Sequence, residues 1–466
     1  MTADTKRLRG RLKSFLKKLK KTKKCLERQR NNEYNVKGKY YENVNLCKRG
    51  INMVIDGKTY GGPCSCGKSH GLETQFVLVE AGCLNKADGY LEEYGICGFR
   101  AVIYDRNTYA ACEGVRPKAD QEIILEPERL HADEHGVAAV MDQLDERVQV
   151  LVAVGSGTIH DITRYCAYLK KIPFVSCPTA ASVDGFCSSV AAMTWEGAKK
   201  TLTAVSPVLV LADVNIIAKA PMFLARSGFG DMIGKYIALA DWRMAHCLTG
   251  EFYCPRIADI MGQATQAVLD SVDGIVRGEA DAFGTLIYGL LLSGIAMQMM
   301  GNSRPASGGE HHISHCIEMA PDGLGVQSDA LHGEKVGVGT LMAAREYHRL
   351  ARLDADCWGD YPELTEQEIF AVFEERLSRQ IADENAKDCA AGITAEQIHA
   401  HLDELRAEIS TIPPAEELLA AFKKIGAMST LEELGVPEQA GEALLDVSPM
   451  VRNRLTLMRL RRCLKK

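Results

Sequence analysis

Three of the chain's twelve histidines fall within five residues, in the segment Gly308–His315, which reads GGEHHISH. On a helix His311 and His315 share one face because their spacing is i, i+4, whereas His312 points about a third of a turn away. Only one or two of the three imidazoles can therefore reach a common ion. Imidazoles beside a glutamate indicate metal binding or proton transfer, but the HExxH pattern of the usual zinc-peptidase helix is missing.

Two other segments supply the remaining donors of a metal centre. The segment GFGD ends in Asp231, and the segment LHGEKVG carries His332. Taken singly, an acid or a histidine in a helix usually has a structural role. Together, one carboxylate and two imidazoles make the three-ligand site with an open position that is typical of a catalytic divalent metal.

A glycine-rich loop could bind a phosphate group. Residues Val154–Asp161 read VGSGTIHD, directly after the strongest apolar run and before the helical-looking DITRYCAYLKK. A glycine turn at a helix N-terminus offers free backbone N–H groups and the positive end of the helix dipole, which suit a pyrophosphate. The third glycine of the Rossmann fingerprint is missing, and the loop follows the fourth apolar run rather than the first. A plain tight turn explains the loop equally well.

Two neighbouring features favour a dinucleotide. Asp105 follows the run AVIY, and an acid at a strand end can hold the ribose hydroxyls of adenosine. A carboxylate that caps a turn is the alternative interpretation. The segment Pro178–Gly185, PTAASVDG, follows the next apolar run with small residues that let a flat ligand approach the backbone. The acid at position 105 leans towards NAD, without excluding NADP.

The elements that must position these residues divide into two kinds. Between about residues 75 and 215, short apolar runs alternate with polar helical stretches, which predicts buried parallel strands in a doubly wound α/β sheet. The runs are Phe76–Glu80, Ala101–Tyr104, Glu122–Leu125, Val148–Val154, Ile172–Cys177 and Val208–Leu211. After about residue 221 helical periodicity takes over, with capping-box patterns that start at Thr365, Thr394 and Thr430.

These patterns predict an α/β dinucleotide-binding domain followed by an all-α domain. The predicted domains are a basic, disordered extension at 1–52, an NAD(P)-binding α/β domain at 53–220 and a helical metal and substrate domain at 221–466. A length of 466 residues, with 46% hydrophobic and 25% charged residues, suits a globular protein of two or three domains.

Charge and targeting patterns bound the function further. Residues 1–52 hold 17 Lys/Arg against 4 Asp/Glu, and since the whole chain nets −6, the remainder carries −19. An acidic body argues against nucleic acid as the main partner, although the basic segment could form an amphipathic helix that touches RNA, DNA or anionic lipid. No apolar run approaches the roughly 18 residues of a membrane span, and we find no apolar h-region typical of a signal peptide. We expect a cytoplasmic protein, without a transmembrane segment, whose 16 cysteines are reduced thiols.

Five motifs in order resemble one enzyme family. The segments VGSGTIHD, PTAASVDG, GFGDMIGKY, SRPASGGEHHISH and LHGEKVGVGT are similar to those of the sn-glycerol-1-phosphate dehydrogenase family. That family is related to the iron-containing alcohol dehydrogenases, glycerol dehydrogenase and dehydroquinate synthase. The resemblance runs from about Cys64 to near the C-terminus, and the order and spacing of the motifs make it specific.

The resemblance implies a role for individual residues. The metal ligands would be Asp231, His311 and His332. The dinucleotide contacts would be Asp105, Gly155, Ser156, Gly157, Thr158, Asp161, Thr179, Ser182 and Ser188. Asp184 and Asp231 would lie at the substrate, with His315 as a proton relay, and Asp184 and His315 are the predicted catalytic residues. Lys235 and Arg304 are predicted to bind the substrate phosphate. The family often has a hydrophobic residue at the position of His312, which we therefore interpret as packing or facing solvent.

The implied reaction is reversible hydride transfer between NAD(P)H and C2 of dihydroxyacetone phosphate, which gives sn-glycerol 1-phosphate. A divalent metal would act as a Lewis acid on the C2 oxygen, while the nicotinamide supplies the hydride. The cofactors would be NAD or NADP and one metal ion, nickel or zinc ahead of iron. We expect a homo-oligomer, a dimer or larger.

Three alternatives stay open. Another polyol or alcohol dehydrogenase, or a lyase resembling dehydroquinate synthase, would share the fold, NAD and the metal. A binding protein that has lost turnover would keep the scaffold, but the complete set Asp231, His311 and His332 argues against it. Separately, the segment Cys64–His70 (CSCGKSH) offers three zinc donors but lacks the usual C-x2-C spacing, so we interpret it as a local structural segment.

Overall fold

A computed structural model describes residues 52–196, 198–321 and 324–465. The predicted basic extension lies outside the described residues, apart from its last residue, Asn52. The domain boundary between residues 220 and 221 stays a prediction.

The first half contains a parallel sheet at the predicted positions. The strands of this half, which form the sheet and two separate hairpins, are β1 (Asn52–Asp56), β2 (Gly62–Pro63), β3 (Ser69–His70), β4 (Phe76–Glu80), β5 (Arg100–Asp105), β6 (Gln121–Leu125), β7 (Val150–Gly155), β8 (Phe174–Pro178), β9 (Val190–Trp195), β10 (Ala198–Thr203) and β11 (Leu209–Asp213). Seven strands form one sheet in the order β1-β4-β11-β8-β7-β5-β6, while β2 pairs with β3 and β9 with β10. All six predicted runs are strands, whereas β1 and the two hairpins were not predicted.

The centre of the sheet is covered on both faces. Every residue of β7, β8 and β11 is buried. Successive residues of β7 belong alternately to two apolar clusters, because side chains along a strand point to opposite faces. Strands buried on both faces read as continuous apolar runs, which explains why these three were legible in the sequence.

The chain order of the strands places a crevice beside β5 and β7. From β5 the chain continues outward to β6, whereas from β7 it continues the other way to β8 and β11. The helices that follow these two neighbouring strands therefore diverge. In open α/β sheets a ligand binds at such a switch point, outside the carboxyl ends of the strands.

Helices make up most of the remaining described chain. They are α1 (Gly57–Tyr60), α2 (Ala87–Glu93), α3 (Arg106–Ala111), α4 (Glu134–Met141), α5 (Gly157–Lys170), α6 (Val214–Ile217), α7 (Met222–Ile233), α8 (Lys235–Thr249), α9 (Pro255–Asp270), α10 (Val272–Val276), α11 (Ala280–Met300), α12 (Gly309–Met319), α13 (His332–Leu350), α14 (Glu366–Phe370), α15 (Glu375–Asn385), α16 (Ala395–Ala400), α17 (Leu402–Ile409), α18 (Ala415–Ile425), α19 (Gly441–Val447) and α20 (Leu457–Leu460). After β11 the described residues add only an isolated bridge between Trp358 and Leu464 to the helices and 3₁₀ turns. The predicted fold class, an α/β sheet followed by a helical region, is confirmed.

The predicted capping boxes are present. Thr365 and Thr394 cap α14 and α16 reciprocally with the side chains three residues on. Thr430 exchanges the same two hydrogen bonds with Glu433, but the segment that follows is only a 3₁₀ turn, Glu432–Leu434. The local pattern thus predicted the cap without predicting the length of the helix.

The prediction that no apolar segment approaches the length of a membrane span is wrong for one helix. Helix α11 is the one helix in the described residues that is long and apolar enough to cross a membrane. However, 78% of its apolar window is buried inside the protein. A helix that is apolar all round is typical of a core position as well as of a membrane span, and the burial favours the core.

Candidate active site

Helices α7 and α13 approach each other unusually closely. A Cβ atom on Gly230 of α7 would collide with the carbonyl oxygen of Gly333, and one on Gly333 would collide with the carbonyl oxygen of Ser227. Glycine at both positions lets the two backbones touch. The contact brings Asp231, next to Gly230, towards His332, next to Gly333.

Helix α12 adds the third donor of the centre. Asp231, His311 and His332 each place one ligand atom within 4.8 Å of the others. Asp231 is fully buried, and its Oδ1 lies 3.6 Å from His311 Nε2. The side chain of His332 is 32% exposed, so the group opens towards solvent on that side. The structure therefore brings together the three residues that the family resemblance implied as metal ligands.

Each histidine of this group is oriented by a carboxylate. His311 Nδ1 lies 2.6 Å from Glu310 Oε1, and His332 Nδ1 lies 3.0 Å from Glu318 Oε1. If both Nδ1 atoms donate to these carboxylates, both Nε2 atoms keep a lone pair for a metal. Glu310 and Glu318 were not predicted from the sequence, although both stand in the segment GGEHHISHCIE, close to the histidines that they orient.

The electrostatics differ between the two imidazole ligands: the carboxylate of Glu318 raises the pKa of His332 against the effect of burial, whereas His311 is held neutral. Burial, reinforced by the charge of Lys235, holds the pKa of His311 well below its usual value. Burial raises the pKa of Glu310 to about 7. Glu318 behaves differently: burial acts to raise its pKa, but His332 and His315 together hold it well below the usual range. Glu318 therefore stays ionised and can accept hydrogen bonds from both histidines.

Lys235 lies between two carboxylates. Its Nζ is 2.8 Å from Asp231 Oδ1, 2.8 Å from Asp184 Oδ2 and 2.9 Å from the carbonyl oxygen of Ala306. The lysine is fully buried, and an ammonium group has three donors. All three donors are thus engaged, so Lys235 offers no spare N–H to a substrate phosphate in this arrangement. The contact of Lys235 with a substrate phosphate stays a prediction. Its neutralisation of Asp184 and Asp231 was not predicted from the sequence.

Asp184 reaches the same group from the loop after β8. Its Oδ2 accepts a hydrogen bond from Ser293 Oγ at 2.8 Å, and its backbone N–H donates to Asp231 Oδ2 at 3.0 Å. The structure thus joins Asp184, which the resemblance placed at the substrate, directly to a predicted metal ligand. A side chain from the strand region and one from the helical region meet here.

Arg304, the second predicted phosphate ligand, is buried and paired. Its Nε and Nη2 donate to the two carboxylate oxygens of Glu251 at 2.8 and 3.0 Å, and Nη2 also donates to the carbonyl oxygen of Leu455. Nη1 is buried without a hydrogen-bond partner among the described residues. Glu251 already neutralises the guanidinium of Arg304. The contact of Arg304 with a substrate phosphate therefore stays a prediction.

His315 and His312 have different surroundings. The ring of His315 lies 6.1 Å from that of His311 and 5.8 Å from that of His332, and its Nδ1 is 3.4 Å from Glu318 Oε2. His312 is fully buried, and neither ring nitrogen has a partner in the described part of the chain. The interpretation that His312 packs is therefore supported, and its alternative, exposure to solvent, is wrong.

We predict that Glu318→Gln weakens both metal binding and turnover by roughly 10–100-fold, the usual effect of removing a carboxylate behind a histidine ligand. The neutral amide keeps the shape but loses the charge that aligns His332 and His315. Metal affinity and kcat/KM, measured on the same preparation, would check this. Glu396→Gln, at an exposed glutamate in the first turn of α16, is the control and should leave both unchanged. Equal effects from the two variants would contradict the assignment.

A cavity of about 710 Å³ lies at the carboxyl ends of the strands. Asp105, Ser156 and Thr179 of the predicted dinucleotide set contribute to its wall. Its further polar lining residues, which the sequence analysis missed, are Asn85, Asn107, Thr108, Glu113, Asp213, Asn215 and Lys219. Asp213 is the last residue of β11, as Asp105 is of β5. This shared position at the carboxyl end of a strand could have indicated Asp213 as a cofactor residue from the sequence.

The glycine loop opens helix α5 at this cavity. Gly155 ends β7, and a Cβ there would lie 2.6 Å from the Cβ of Ile159, so a side chain would push the loop off the helix. Ser156 precedes the helix without a side-chain capping bond. The first N–H groups of α5 are therefore not capped by that hydroxyl, in keeping with a loop that binds a phosphate through its backbone.

Other predicted cofactor residues lie outside the cavity wall. Asp161 pairs with the buried Arg164 at 3.0 Å, and burial raises the pKa of Asp161 to about 6. The carbonyl oxygen of Ser182 accepts a hydrogen bond from Ser227, and Ser188 Oγ accepts one from the N–H of Val190. The cavity wall also omits Gly155, Gly157 and Thr158. Their contacts with a dinucleotide stay predictions.

Asp105→Asn should shift the cofactor preference towards NADPH. Asp105 Oδ1 accepts the N–H of Thr108 at 2.8 Å, and asparagine preserves this cap while removing the charge that would repel a 2′-phosphate. We expect the ratio of kcat/KM for NADPH over NADH to rise by about tenfold. Asp133→Asn, at the capping aspartate of α4, is the matched control. An unchanged ratio in Asp105→Asn would refute contact with the ribose.

Comparison with known proteins identifies the family of the chain. Residues 78–221 match the family model for iron-containing alcohol dehydrogenase. The glycerol-1-phosphate dehydrogenase (NAD(P)+) of Geobacillus stearothermophilus is 35% identical over 410 residues, which cover 85% of this chain and 94% of the relative. The enzyme of the same name from Geobacillus thermodenitrificans is 32% identical, over 83% and 92%. A probable glycerol dehydrogenase from Sinorhizobium meliloti has the same fold, with a TM-score of 0.54 at 19% identity, over 80% of this chain and 87% of that one. The chain therefore belongs to the family of NAD(P)-dependent glycerol-1-phosphate dehydrogenases.

Proposed function

We propose that this enzyme reduces dihydroxyacetone phosphate reversibly to sn-glycerol 1-phosphate with NADH or NADPH. The observation that carries the proposal is the convergence of Asp231, His311 and His332 beside Asp184, in a chain whose relatives carry this activity in their names. The named relatives lend no support to a dehydroquinate synthase-like lyase or to another polyol dehydrogenase.

The donor set fits a divalent transition metal. Two imidazoles and one carboxylate suit zinc, nickel or ferrous iron, and the carboxylates behind both histidines complete the usual surroundings of such an ion. We propose Asp231, His311 and His332 as the ligands, with nickel or zinc as the resident metal. When bound, the metal would polarise the C2 carbonyl, and the nicotinamide would supply the hydride.

The chain's own residues would neutralise the buried charges and transfer the proton. Lys235 holds Asp184 and Asp231 at 2.8 Å each and so keeps two buried carboxylates in place without repulsion. His315, whose side chain is 27% exposed, lies beside the centre and shares Glu318 with His332. We propose that His315 relays the proton that the C2 oxygen needs after hydride transfer. Burial lowers the pKa of its imidazole, which favours a neutral ring that passes a proton on rather than keeping it.

The dinucleotide is proposed to lie in the 710 Å³ cavity, with its pyrophosphate at the start of α5 and its ribose near Asp105. A crevice at the switch point of a parallel sheet is the usual place for such a cofactor. We also propose a cytoplasmic enzyme, because the described cysteines are free thiols, and a homo-oligomer, which analytical ultracentrifugation would test.

A stereospecific assay tests the proposal. Purified enzyme should oxidise NADH or NADPH only when dihydroxyacetone phosphate is present, should lose this activity with chelator, and should regain it with Ni²⁺ or Zn²⁺. The product should resist oxidation by an sn-glycerol-3-phosphate dehydrogenase. Faster reduction of unphosphorylated dihydroxyacetone would instead favour another polyol dehydrogenase, and no metal-dependent oxidation would refute the proposal.

A further inference from the structure

A second group of metal donors lies away from the candidate active site. Cys64, Cys66 and His70 lie in and next to the β2–β3 hairpin, and Cys254 directly precedes helix α9. In the sequence the first three looked like an incomplete zinc site. The fold places Cys254, 190 residues from Cys64 along the chain, against them. We propose that these four side chains bind a structural zinc ion.

The spacing of the four donors fits a tetrahedral ion. The sulfurs of Cys64 and Cys254 are 3.8 Å apart, and His70 Nε2 lies 3.3 Å from Cys66 Sγ and 3.4 Å from Cys254 Sγ. One donor atom from each residue falls within 4.8 Å of all the others. Zinc–sulfur bonds of about 2.3 Å and zinc–nitrogen bonds of about 2.0 Å at tetrahedral angles require sulfurs about 3.8 Å apart and sulfur–nitrogen distances of about 3.5 Å.

The tautomer of His70 is set for metal binding. His70 is buried, and its Nδ1 lies 2.7 Å from the carbonyl oxygen of Met299, an atom that can only accept. Nδ1 therefore carries the proton, and Nε2 presents its lone pair to the sulfurs. The sulfurs of Cys66 and Cys254 both face this single lone pair, and only one of the two thiols can donate to it at a time. One zinc ion bound by three thiolates and Nε2 satisfies the whole group.

The hairpin holds two of the cysteines in a fixed turn. The N–H of Gly67 donates to the carbonyl oxygen of Cys64 at 3.0 Å, and the N–H of Cys64 donates to that of Lys68 at 2.9 Å. Gly67 has a φ of +88°, a conformation that favours glycine. The ammonium of Lys68 lies 3.5 Å from the centre of the ring of Phe252, which stands two residues before Cys254 in the chain. A positive charge there suits a zinc–trithiolate group, which carries one net negative charge.

The site is closed and joins distant parts of the chain. Four protein donors saturate tetrahedral zinc and leave no position for a substrate, which is typical of structural sites. The ion would tie the β2–β3 hairpin to the start of α9, while the hydrogen bond from His70 reaches Met299 in α11. It would thus stabilise the contact between the first and second halves of the described chain, independently of catalysis.

Metal analysis of the full-length enzyme tests the proposal. In His311→Ala, which removes a ligand of the other centre, about one zinc per chain should remain after dialysis against EDTA. Adding Cys254→Ser should reduce this zinc at least tenfold and lower the melting temperature, whereas adding Cys97→Ser, at an exposed cysteine, should change neither. Cys66→Ser serves as a second variant at a half-buried position if Cys254→Ser does not fold. Absence of zinc from His311→Ala, or its retention in Cys254→Ser, would overturn the proposal.

Cobalt substitution gives a readout that needs no variant of the four donors. Co²⁺ loaded into His311→Ala should show the strong sulfur-to-metal charge-transfer absorption and the intense visible bands of a tetrahedral thiolate site. A spectrum without charge transfer would contradict thiolate binding. Mass spectrometry that finds a Cys64–Cys254 disulfide in the protein as purified from the cytosol would likewise overturn the proposal in favour of a covalent link.

Discussion

A chain in which His311 is replaced by alanine should lose its catalytic metal and its reductase activity together. The variant removes one of the two imidazoles from a group of three donors. The two donors that remain, Asp231 and His332, are too few to bind a transition metal tightly. Loss of the Lewis acid raises the barrier to reduction by several kcal/mol, so we expect kcat/KM to fall by roughly 1,000-fold or more. Metal content and NAD(P)H oxidation on the same sample measure both effects.

The neighbouring histidine supplies the matched control. His312→Leu replaces a fully buried ring, whose two nitrogens have no partner among the described residues, by an apolar side chain of similar size. Metal content and activity should stay near those of the parent. The free energy of unfolding should be unchanged or higher, because the buried unsatisfied polar atoms are gone. A reversal, with His312→Leu losing the metal and His311→Ala keeping it, would show that the ligand assignment is wrong.

Lys235→Met should destabilise the enzyme strongly. The ammonium lies 2.8 Å from a carboxylate oxygen of each of two buried aspartates, Asp184 and Asp231. Removing one partner of a buried ion pair leaves uncompensated charge, which lowers the free energy of unfolding by about 3–5 kcal/mol. Chemical denaturation of the metal-free protein would measure this loss.

The metal-bound form should be affected less, because a divalent cation on Asp231 replaces part of the lost positive charge. The difference between the two forms separates a neutralising role of Lys235 from a purely packing one. Lys86→Met is the control: its pair with Glu80 is exposed, and such pairs contribute about 1 kcal/mol or less. Equal losses with and without metal would contradict the neutralising role.

Local patterns predicted the elements well. The runs that became β7, β8 and β11 are apolar throughout because both faces of these strands are buried, and this property is visible in a single segment. Strand β1 and the β9–β10 hairpin were missed. In β9 exposed and buried residues alternate over only part of a short strand, so its apolar content is diluted. The helix α11 was missed as a long apolar segment because interruptions by glycine and serine hide its continuity in the sequence.

The same distinction between local patterns and contacts of distant segments applies to the candidate site. The sequence by itself determined the helical phase of His311, His312 and His315, the glycine loop before α5 and, through ordered motifs, the family. Only the tertiary structure decided that Lys235 is neutralised by Asp184, that Glu318 serves two histidines, and that Cys254 completes the group of Cys64, Cys66 and His70. Helical phase depends on residues three or four positions apart, whose geometry the backbone sets locally. The other contacts join helices and loops far apart in the chain, and their meeting depends on packing, such as the glycine contact of α7 with α13, that no local pattern records.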